Sequence, residues 1–470
     1  MTVDTPHGLR LRKAGPLEQL FNARGQLGFT SWVVSVAHYK NDSSAVLTKP
    51  LLYSALRTVI HANIGLAAQL PRPPAKPVWV RMPSLNLDEV ITLLDKDGAS
   101  SLTEVLEAEF ATPVQYTADL PYWRLFVFRD GFVAFAYDHT LGDGQSGSAF
   151  HANLLSALRA ASAGSDSPAQ SPLISDFPLE AHLPPAVETA AKTTPPPLWA
   201  AKKVAQTLLP KLNPRALASW TAHPAQDPPT LVTRVRIQHI SPADTGTLVA
   251  LSRAHGTTLT GRCTRSRSSR SPLSSPRTTP RAHPPPYAFT IRTHCPLLPV
   301  PAPTDPDVSG YAHALDVHPA TFPWAAAAAM SARLRAKAPG AGRHIGLLKL
   351  LLWDLRALFG DADADALGSV GKKRSEAFEL SNLGAFPALP TAPTNGLGKE
   401  EVQWRIREVL FVQADVTLGA AVKLNVAGTP DGGLGLSVTW GEGAIEDEFG
   451  EAFARMVFDG VQSLCLEQPL

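Results

Sequence analysis

His139-Thr140-Leu141-Gly142-Asp143-Gly144 is the stretch of this chain best suited to chemistry. A histidine titrates at about pH 6.5, so it can take a proton from a hydroxyl nucleophile and return it to a leaving group near neutrality. Attack of a hydroxyl on a thioester carbonyl makes that demand. Asp143 can turn back to hold the loop through an ion pair or backbone hydrogen bonds, and Gly144 leaves space for close approach of substrate or backbone. The bland alternative is a strand-end histidine satisfied by its neighbouring aspartate. The setting favours chemistry, because the apolar run 132–137 leads directly into His139 and Gly144-Gln145-Ser146-Gly147 opens a helix behind it. A base at the end of a buried strand is held rigidly and can still face a cavity. Arg124, on the adjacent expected strand, is a candidate ion-pair partner for Asp143; an ordinary exposed strand arginine is at least as good a reading.

The elements that must position these residues follow from periodicity. Short helices are expected over 17–22 and 101–110, with a longer helical pattern over 49–68. Strands are expected over 29–39, 78–82, 122–128 and 132–137. The last two are joined by Arg129-Asp130-Gly131, an Asp-Gly hairpin signal. A helix should follow over 146–160. Residues 161–229 are rich in Ala, Pro and Ser and read as a crossover linker. Beyond it come an alternating strand over 231–240 and a helix over 244–255 capped by Ser241. Helices over 323–337 and 344–359 follow, then a strand over 377–380 running into Ser381-Asn382-Leu383-Gly384. Strands over 409–417, 420–426 and 434–440 and a closing helix over 446–464 complete the pattern. The fold class is therefore α/β with mixed sheets, in two halves of similar size, 1–160 and 230–470.

Composition narrows the function classes. A chain of 470 residues with 44% hydrophobic content can bury two cores. The formal net charge is +2, yet seven arginines and no acidic residue fall between Gly261 and Thr304, so the rest of the chain is mildly acidic. A nucleic-acid footprint spread over the fold is not indicated. Cys263, Cys295 and Cys465 are too few and scattered for a disulfide framework or a zinc site, which fits a reducing compartment. No His/Cys/carboxylate cluster has metal-ligand spacing; His318 and His344 read as surface or structural histidines. Residues 1–13 lack the apolar core of a signal peptide, and the apolar run 345–359 is broken by Lys349, Asp354 and Arg356.

The strand leading into His139-x-x-x-Asp143-Gly144 resembles the hallmark of the superfamily containing chloramphenicol acetyltransferase, peptide-synthetase condensation domains and plant acyltransferases. Within it the chain is most similar to the fungal alcohol O-acetyltransferases. The runs LEQLFNARGQLGF from Leu17, GRHIGLLKLL from Gly342, FELSNLGAF from Phe378 and VTWGEGAIEDEF from Val438 carry that likeness. The plant Asp-Phe-Gly-Trp-Gly motif is missing, which points to the fungal branch, and Trp440 reads as packing rather than chemistry. The resemblance implies two chloramphenicol acetyltransferase-like domains with a substrate tunnel between them, and acetyl-CoA as co-substrate with no permanently bound cofactor. It implies His139 as general base, Asp143 as its loop partner, and Ser381 and Asn382 across the tunnel, where a polar pair could steady an oxyanion. The alternative for that pair is a strand-ending turn closed by Gly384.

The resemblance implies a small alcohol as acceptor, with an amine as the alternative since one base serves either nucleophile; a sphingoid-like or toxin amine would make the enzyme an N-acetyltransferase. A catalytically impaired or condensation-like binding module is a further reading. We expect a cytoplasmic monomer, with peripheral contact at the endoplasmic reticulum or lipid droplets left open because the termini show no persuasive amphipathic anchor.

Residues 262–304 break the pattern. Read at face value, RCTRSRSSRSPLSSPRTTPRAHPPPY is a basic, disordered, RS-like segment that could touch RNA. In the similar family the preceding phrase, here SRAHGTTLTG from Ser252, leads into an apolar helix. A GC-rich helix frame shifted by one base yields Arg, Ser, Cys, Thr and Pro, so the expectation is a reading-frame or splicing error that replaces a core helix.

Overall fold

A computed structural model of the chain describes residues 9–41, 45–71, 77–163, 171–190, 193–209, 222–225, 230–257, 342–350, 378–387, 404–415 and 419–466, with six further positions at 324, 328, 331, 332, 374 and 417. The segment 262–304, the sites Cys263, Cys295 and His318, and most of the helices expected over 323–337 and 344–359 lie outside the described residues.

In chain order the first part contains β1 (Leu9–Lys13), α1 (Pro16–Gln26), β2 (Val33–Lys40), α2 (Lys49–Ala62), β3 (Ala68–Gln69), β4 (Val78–Arg81), β5 (Leu85–Asn86), β6 (Ile91–Leu94), α3 (Gly98–Phe110), β7 (Trp123–Phe128), β8 (Phe132–Tyr137) and α4 (Gly144–Ala163). Then follow β9 (Leu173–Ile174), α5 (Val187–Ala190), α6 (Pro197–Leu208), β10 (Thr233–Ile240), α7 (Pro242–Ala254), α8 (Gly342–Leu347), β11 (Phe378–Asn382), β12 (Arg405–Gln413), β13 (Val422–Gly428), β14 (Leu434–Gly441) and α9 (Asp447–Leu466). No described helix is long and apolar enough to cross a membrane.

Two larger sheets organise the chain. The first has the order β12-β2-β8-β7-β6, antiparallel except for the parallel β6–β7 pair. Alternation along its strands divides it into two apolar faces. Val33, Phe135, Tyr137, Trp123, Leu125 and Phe411 pack with α2 and α4, whereas Val34, Ala134, Ala136, Phe128, Leu410 and Val412 pack with Leu102, Leu106 and Phe110 of α3. The turn aspartate Asp130 also accepts the amides of Gly98 (2.8 Å) and Ala99 (3.0 Å), so the hairpin supplies the anion that the start of α3 needs.

The second sheet has the order β10-β14-β13-β11, with β11 and β13 parallel. One face is apolar: Leu380, Leu424, Val438 and Trp440 meet Phe453, Val457 and Val461 of α9. Trp440 is buried, and its indole N–H donates to Asp447 (2.9 Å), in line with a packing role. The other face carries Ser381, Lys423, Asn425, Ser437 and Thr439, all buried. Here V-K-L-N-V, which alternates like a half-exposed strand, has its polar side covered by the other half of the molecule.

That cover is β12. Although it lies late in the sequence, it forms the edge of the first sheet, and its outer side meets the second. Ser437 Oγ donates to the Phe411 carbonyl (2.7 Å), Gln413 Nε2 donates to Asn425 Oδ1 (2.7 Å), and Asn425 Nδ2 donates to Ser437 Oγ (3.0 Å). Buried polar groups need such partners, because an unpaired one costs about 1–3 kcal/mol.

Most expected elements are present, with shifted ends. The helix expected over 49–68 stops at Ala62, where Asn63 leaves helical geometry and donates through its side-chain Nδ2 to the Val59 carbonyl (2.8 Å). β12 starts four residues before the strand expected over 409–417, because a bulge between Ile406 and Val409 disrupts its alternation. The short strand β6 carries no alternation and was not expected. Ser381 and Asn382 are the last residues of β11 rather than a turn after it.

Ser437→Ala is expected to lower unfolding stability by about 1–3 kcal/mol, since it strands both the Phe411 carbonyl and the Asn425 amide. A denaturant midpoint equal to wild type would contradict this account of the seam.

Candidate active site

β8 ends at Tyr137, and the chain turns through His139 before α4 begins at Gly144. The turn is pinned at each step. The Asp138 amide donates to the Tyr122 carbonyl (2.9 Å), and the Leu141 amide to the Asp138 carbonyl (3.0 Å). The Tyr137 hydroxyl donates to the Asp143 carbonyl (2.7 Å). Asp143 caps α4: its Oδ1 accepts the amide and hydroxyl of Ser146, both at 3.1 Å, while its own amide donates to Ser146 Oγ (3.2 Å).

His139 is half-buried, and its ring stacks on Phe21 of α1 with centroids 4.0 Å apart and planes 12° apart. Arg24, one turn along α1, lies over the other partner of that stack, 4.9 Å from the Phe21 centroid. The N-terminus of α1 is fixed by Glu18, which accepts the Gly15 amide (2.8 Å), and by Glu188, which accepts the Leu17 amide (2.7 Å).

The segment Ser381–Gly384 reaches the same loop from the second sheet. Gln145, in the first turn of α4, donates through Nε2 to the Leu383 carbonyl. A side chain at Gly144 would put its Cβ 2.4 Å from Leu383 Cδ2 and 2.9 Å from Phe411 Cζ, so any larger residue would have to displace these two side chains. The fold thus joins the two motifs at Gly144 and Gln145. Ser381 is buried on the polar face of the second sheet. Asn382 uses its side-chain oxygen to accept the Gly384 amide (2.7 Å), which closes a turn at a residue with φ +74°.

Arg124 does not pair with Asp143. It lies opposite Ala136 in the sheet, on the face away from α4, where its guanidinium is 3.6 Å from Glu109 and 5.0 Å from the Trp32 ring. Burial pushes the Glu109 carboxyl up to about 7 against the pull of Arg124. The adjacent strand was the correct address, but the parity of the strand put Arg124 on the wrong side.

Sequence reading passed over Phe21, Asp138, Tyr116 and Gln145. Asp138 directly precedes His139 and Gln145 directly follows the motif, so adjacency was the available signal. Phe21 lay within a quoted run but had no expected role. Also unforeseen was the buried charge cluster behind the seam, where Asp415 lies 3.7 Å from Arg374 and 4.0 Å from Lys423. Lys423 donates to the Ala414 carbonyl, and burial pulls its amine down to about 8.

The histidine that follows in α4 is structural. His151 is fully buried, with Nε2 2.9 Å from the Ser35 carbonyl and Nδ1 2.9 Å from the Tyr39 hydroxyl. A carbonyl only accepts, so Nε2 carries a proton, and complete burial favours the neutral ring.

Comparison with known proteins gives a consistent picture. The family model for alcohol acetyltransferases matches residues 85–261 and 348–457. The match therefore breaks where the arginine-rich segment begins. "Probable alcohol acetyltransferase crmB" of Aspergillus fumigatus is 25% identical over 488 aligned positions, covering 93% of this chain and 96% of the relative. "Probable alcohol acetyltransferase FCK4" of Fusarium pseudograminearum is 22% identical, covering 94% and 92%. Among solved structures, the TRI3 trichothecene 15-O-acetyltransferase of Fusarium sporotrichioides superposes with a TM-score of 0.54 at 11% identity, covering 99% of this chain and all of that one. The first condensation domain of the CDA synthetase gives 0.51 at 12% identity, covering 98% and 97%. These structures share the two-domain fold of chloramphenicol acetyltransferase type.

Burial lowers the His151 pKa from 6.5 to about 4. The unfolded chain therefore binds a proton before the folded one does. This contribution to stability is complete above about pH 6.5 and is lost as pH falls toward 4. His151→Gln should show a shallower stability loss than wild type across that window in pH-resolved denaturation, whatever its stability at neutrality. Parallel curves would rule out this titration.

Proposed function

This chain belongs to the alcohol acetyltransferase family, and from that premise we propose that it moves an acetyl group from acetyl-CoA to an alcohol hydroxyl with His139 as the general base. The chain is an acyltransferase, and its family uses an acyl-CoA donor. The observation that carries the reading is the placement of His139. Its imidazole is half-buried at a strand end and stacked on Phe21, in a loop capped by Asp143 and tied to the second sheet through Gln145.

In this mechanism the His139 imidazole accepts the proton of the acceptor hydroxyl as that oxygen attacks the thioester carbonyl. A C–O bond forms, and the carbonyl electrons collapse onto oxygen. When the tetrahedral intermediate breaks down, the C–S bond cleaves and the imidazolium returns its proton to the CoA sulfur. Asp143 keeps the loop at the start of α4 and has no share in the proton transfer. Ser381 and Asn382 are the candidate donors to the oxyanion, through the Ser381 hydroxyl and through Nδ2 of Asn382, whose side-chain oxygen is engaged by the Gly384 amide. A tunnel between the two halves would bring donor and acceptor to His139 from opposite sides.

His139→Ala should lower the rate of CoA release with an alcohol acceptor by about 10²- to 10⁴-fold, the usual worth of a positioned base. Thiol release from acetyl-CoA against a panel of short alcohols, sterols and sphingoid amines measures it and identifies the acceptor. Undiminished turnover in this variant would refute the assignment.

We also propose that residues 262–304 are the product of a shifted reading frame or a mis-spliced junction. The reading rests on their composition and on the break in the family match at 261. Transcript sequencing should reveal a Leu-, Ala- and Val-rich coding alternative. Transcripts that carry RSRSSRSP in frame, with no such alternative, would dismiss it.

A further inference from the structure

Asp138 is fully buried immediately before the candidate base, and each of its carboxylate oxygens is engaged. Oδ1 accepts the Thr140 amide (2.7 Å), and Oδ2 accepts the Tyr116 hydroxyl (2.8 Å). The carboxylate therefore bridges over His139, fixing the backbone one residue before it and one residue after it. The amide and carbonyl of Asp138 are held as well, by Tyr122 and Leu141.

The anchor runs on into the core. The Tyr116 ring meets Tyr122 edge to face with centroids 5.1 Å apart, and the Tyr122 hydroxyl donates to the Leu70 carbonyl (2.7 Å). The same pair also seats α1. A Cβ at Gly25 would fall 1.8 Å from the Tyr116 hydroxyl and 2.9 Å from Asp138 Oδ2, so the helix rests directly on the carboxylate–phenol contact. Phe21, four residues earlier on that helix, is the ring that stacks on His139. One contact thus controls both the backbone that carries the imidazole and the aromatic surface that fixes the plane of its ring.

Burying a carboxylate is costly unless strong hydrogen bonds compensate. Burial pushes the Asp138 carboxyl above its ordinary range, against the hydrogen bonds of Thr140 and Tyr116. A backbone turn alone needs no such group, since an uncharged acceptor could take the Thr140 amide at less expense. What the carboxylate adds is a second oxygen to hold Tyr116, and through it α1.

We propose that Asp138, together with Tyr116, is a positioning residue for His139, setting the orientation of its ring through the loop backbone and through the Phe21 helix. This inference rests on reading His139 as the base. It predicts an effect on turnover rather than on substrate affinity, because neither side chain needs to touch substrate. A misplacement of about 1 Å at a reacting group costs roughly 10²-fold, which scales the expectation.

The test uses the full-length enzyme with acetyl-CoA and the acceptor identified by the panel. Asp138→Asn keeps an acceptor for Thr140 but sets an amide against the phenol, and Tyr116→Phe removes only the hydroxyl. Each should lower kcat by about 10- to 100-fold while KM for both substrates stays within about twofold. Both changes break one contact, so the double variant should be no slower than the slower single one. Three results would overturn the inference: wild-type kcat in folded Asp138→Asn, losses that multiply in the double variant, or losses confined to KM. If Asp138→Asn does not fold, the kcat and KM of Tyr116→Phe decide in the same way. An inactive His139→Ala beside a fully active Asp138→Asn would remove only this proposal, whereas an active His139→Ala would remove the base assignment and this proposal together.

Discussion

β12 belongs to the first sheet by its backbone and to the second by its outer edge, and the relation between the two halves depends on that double membership. Its inner side pairs with β2 from Arg405 to Gln413. Its outer side offers the Phe411 carbonyl to Ser437 and the Gln413 amide to Asn425. An open strand edge is an invitation to wrong pairing. Here the edge is closed by side chains of the other sheet, so the two sheets are locked in register instead of sliding past each other. Phe411, on the same strand, reaches Gly144 at the head of α4, so the lock is transmitted directly to the candidate active site.

The polar character of this seam has a physical cost. Lys423 and Asp415 are buried, and dry charges are stable only when paired and hydrogen-bonded. Burial draws the lysine amine down to about 8 in spite of Asp415 and Glu379. An apolar seam would bind more tightly per unit area, but it would accept many relative positions of the two sheets equally well. A layer of directional hydrogen bonds accepts one, and a reaction that needs groups from both halves gains from that restriction.

The site itself combines a rigid inner support and a shared wall. Tyr137, Asp143 and Ser146 belong to the first half and define where the loop turns. Leu383, from the second half, and Phe411, on the bridging strand β12, close against Gly144. His139 is therefore attached to one half while its surroundings are assembled from both. This architecture suits a transferase whose two substrates must meet at one imidazole, and it explains why the Asp-Gly step of the motif is as constrained as the histidine.

Local sequence determined a good deal. The strand into His139 and the helix out of it were legible because a continuous apolar run gives way across the motif to apolar residues at helical spacing. The Asp143 cap and the Ser241 cap follow from short-range hydrogen bonding that needs no tertiary partner. The family likeness rested on the same contiguous runs. Tertiary structure alone decided the rest. Arg124 lay on the expected strand but on the opposite face, since a one-residue change of parity reverses a side chain. That the polar alternation of Lys423 and Asn425 is buried follows only from the cover that β12 provides. Phe21 and His139 lie 118 positions apart, and no periodicity links them. Spacing along the chain records which groups are neighbours within one element; which elements then meet is decided by the shared burial of their faces, and that depends on the whole chain at once.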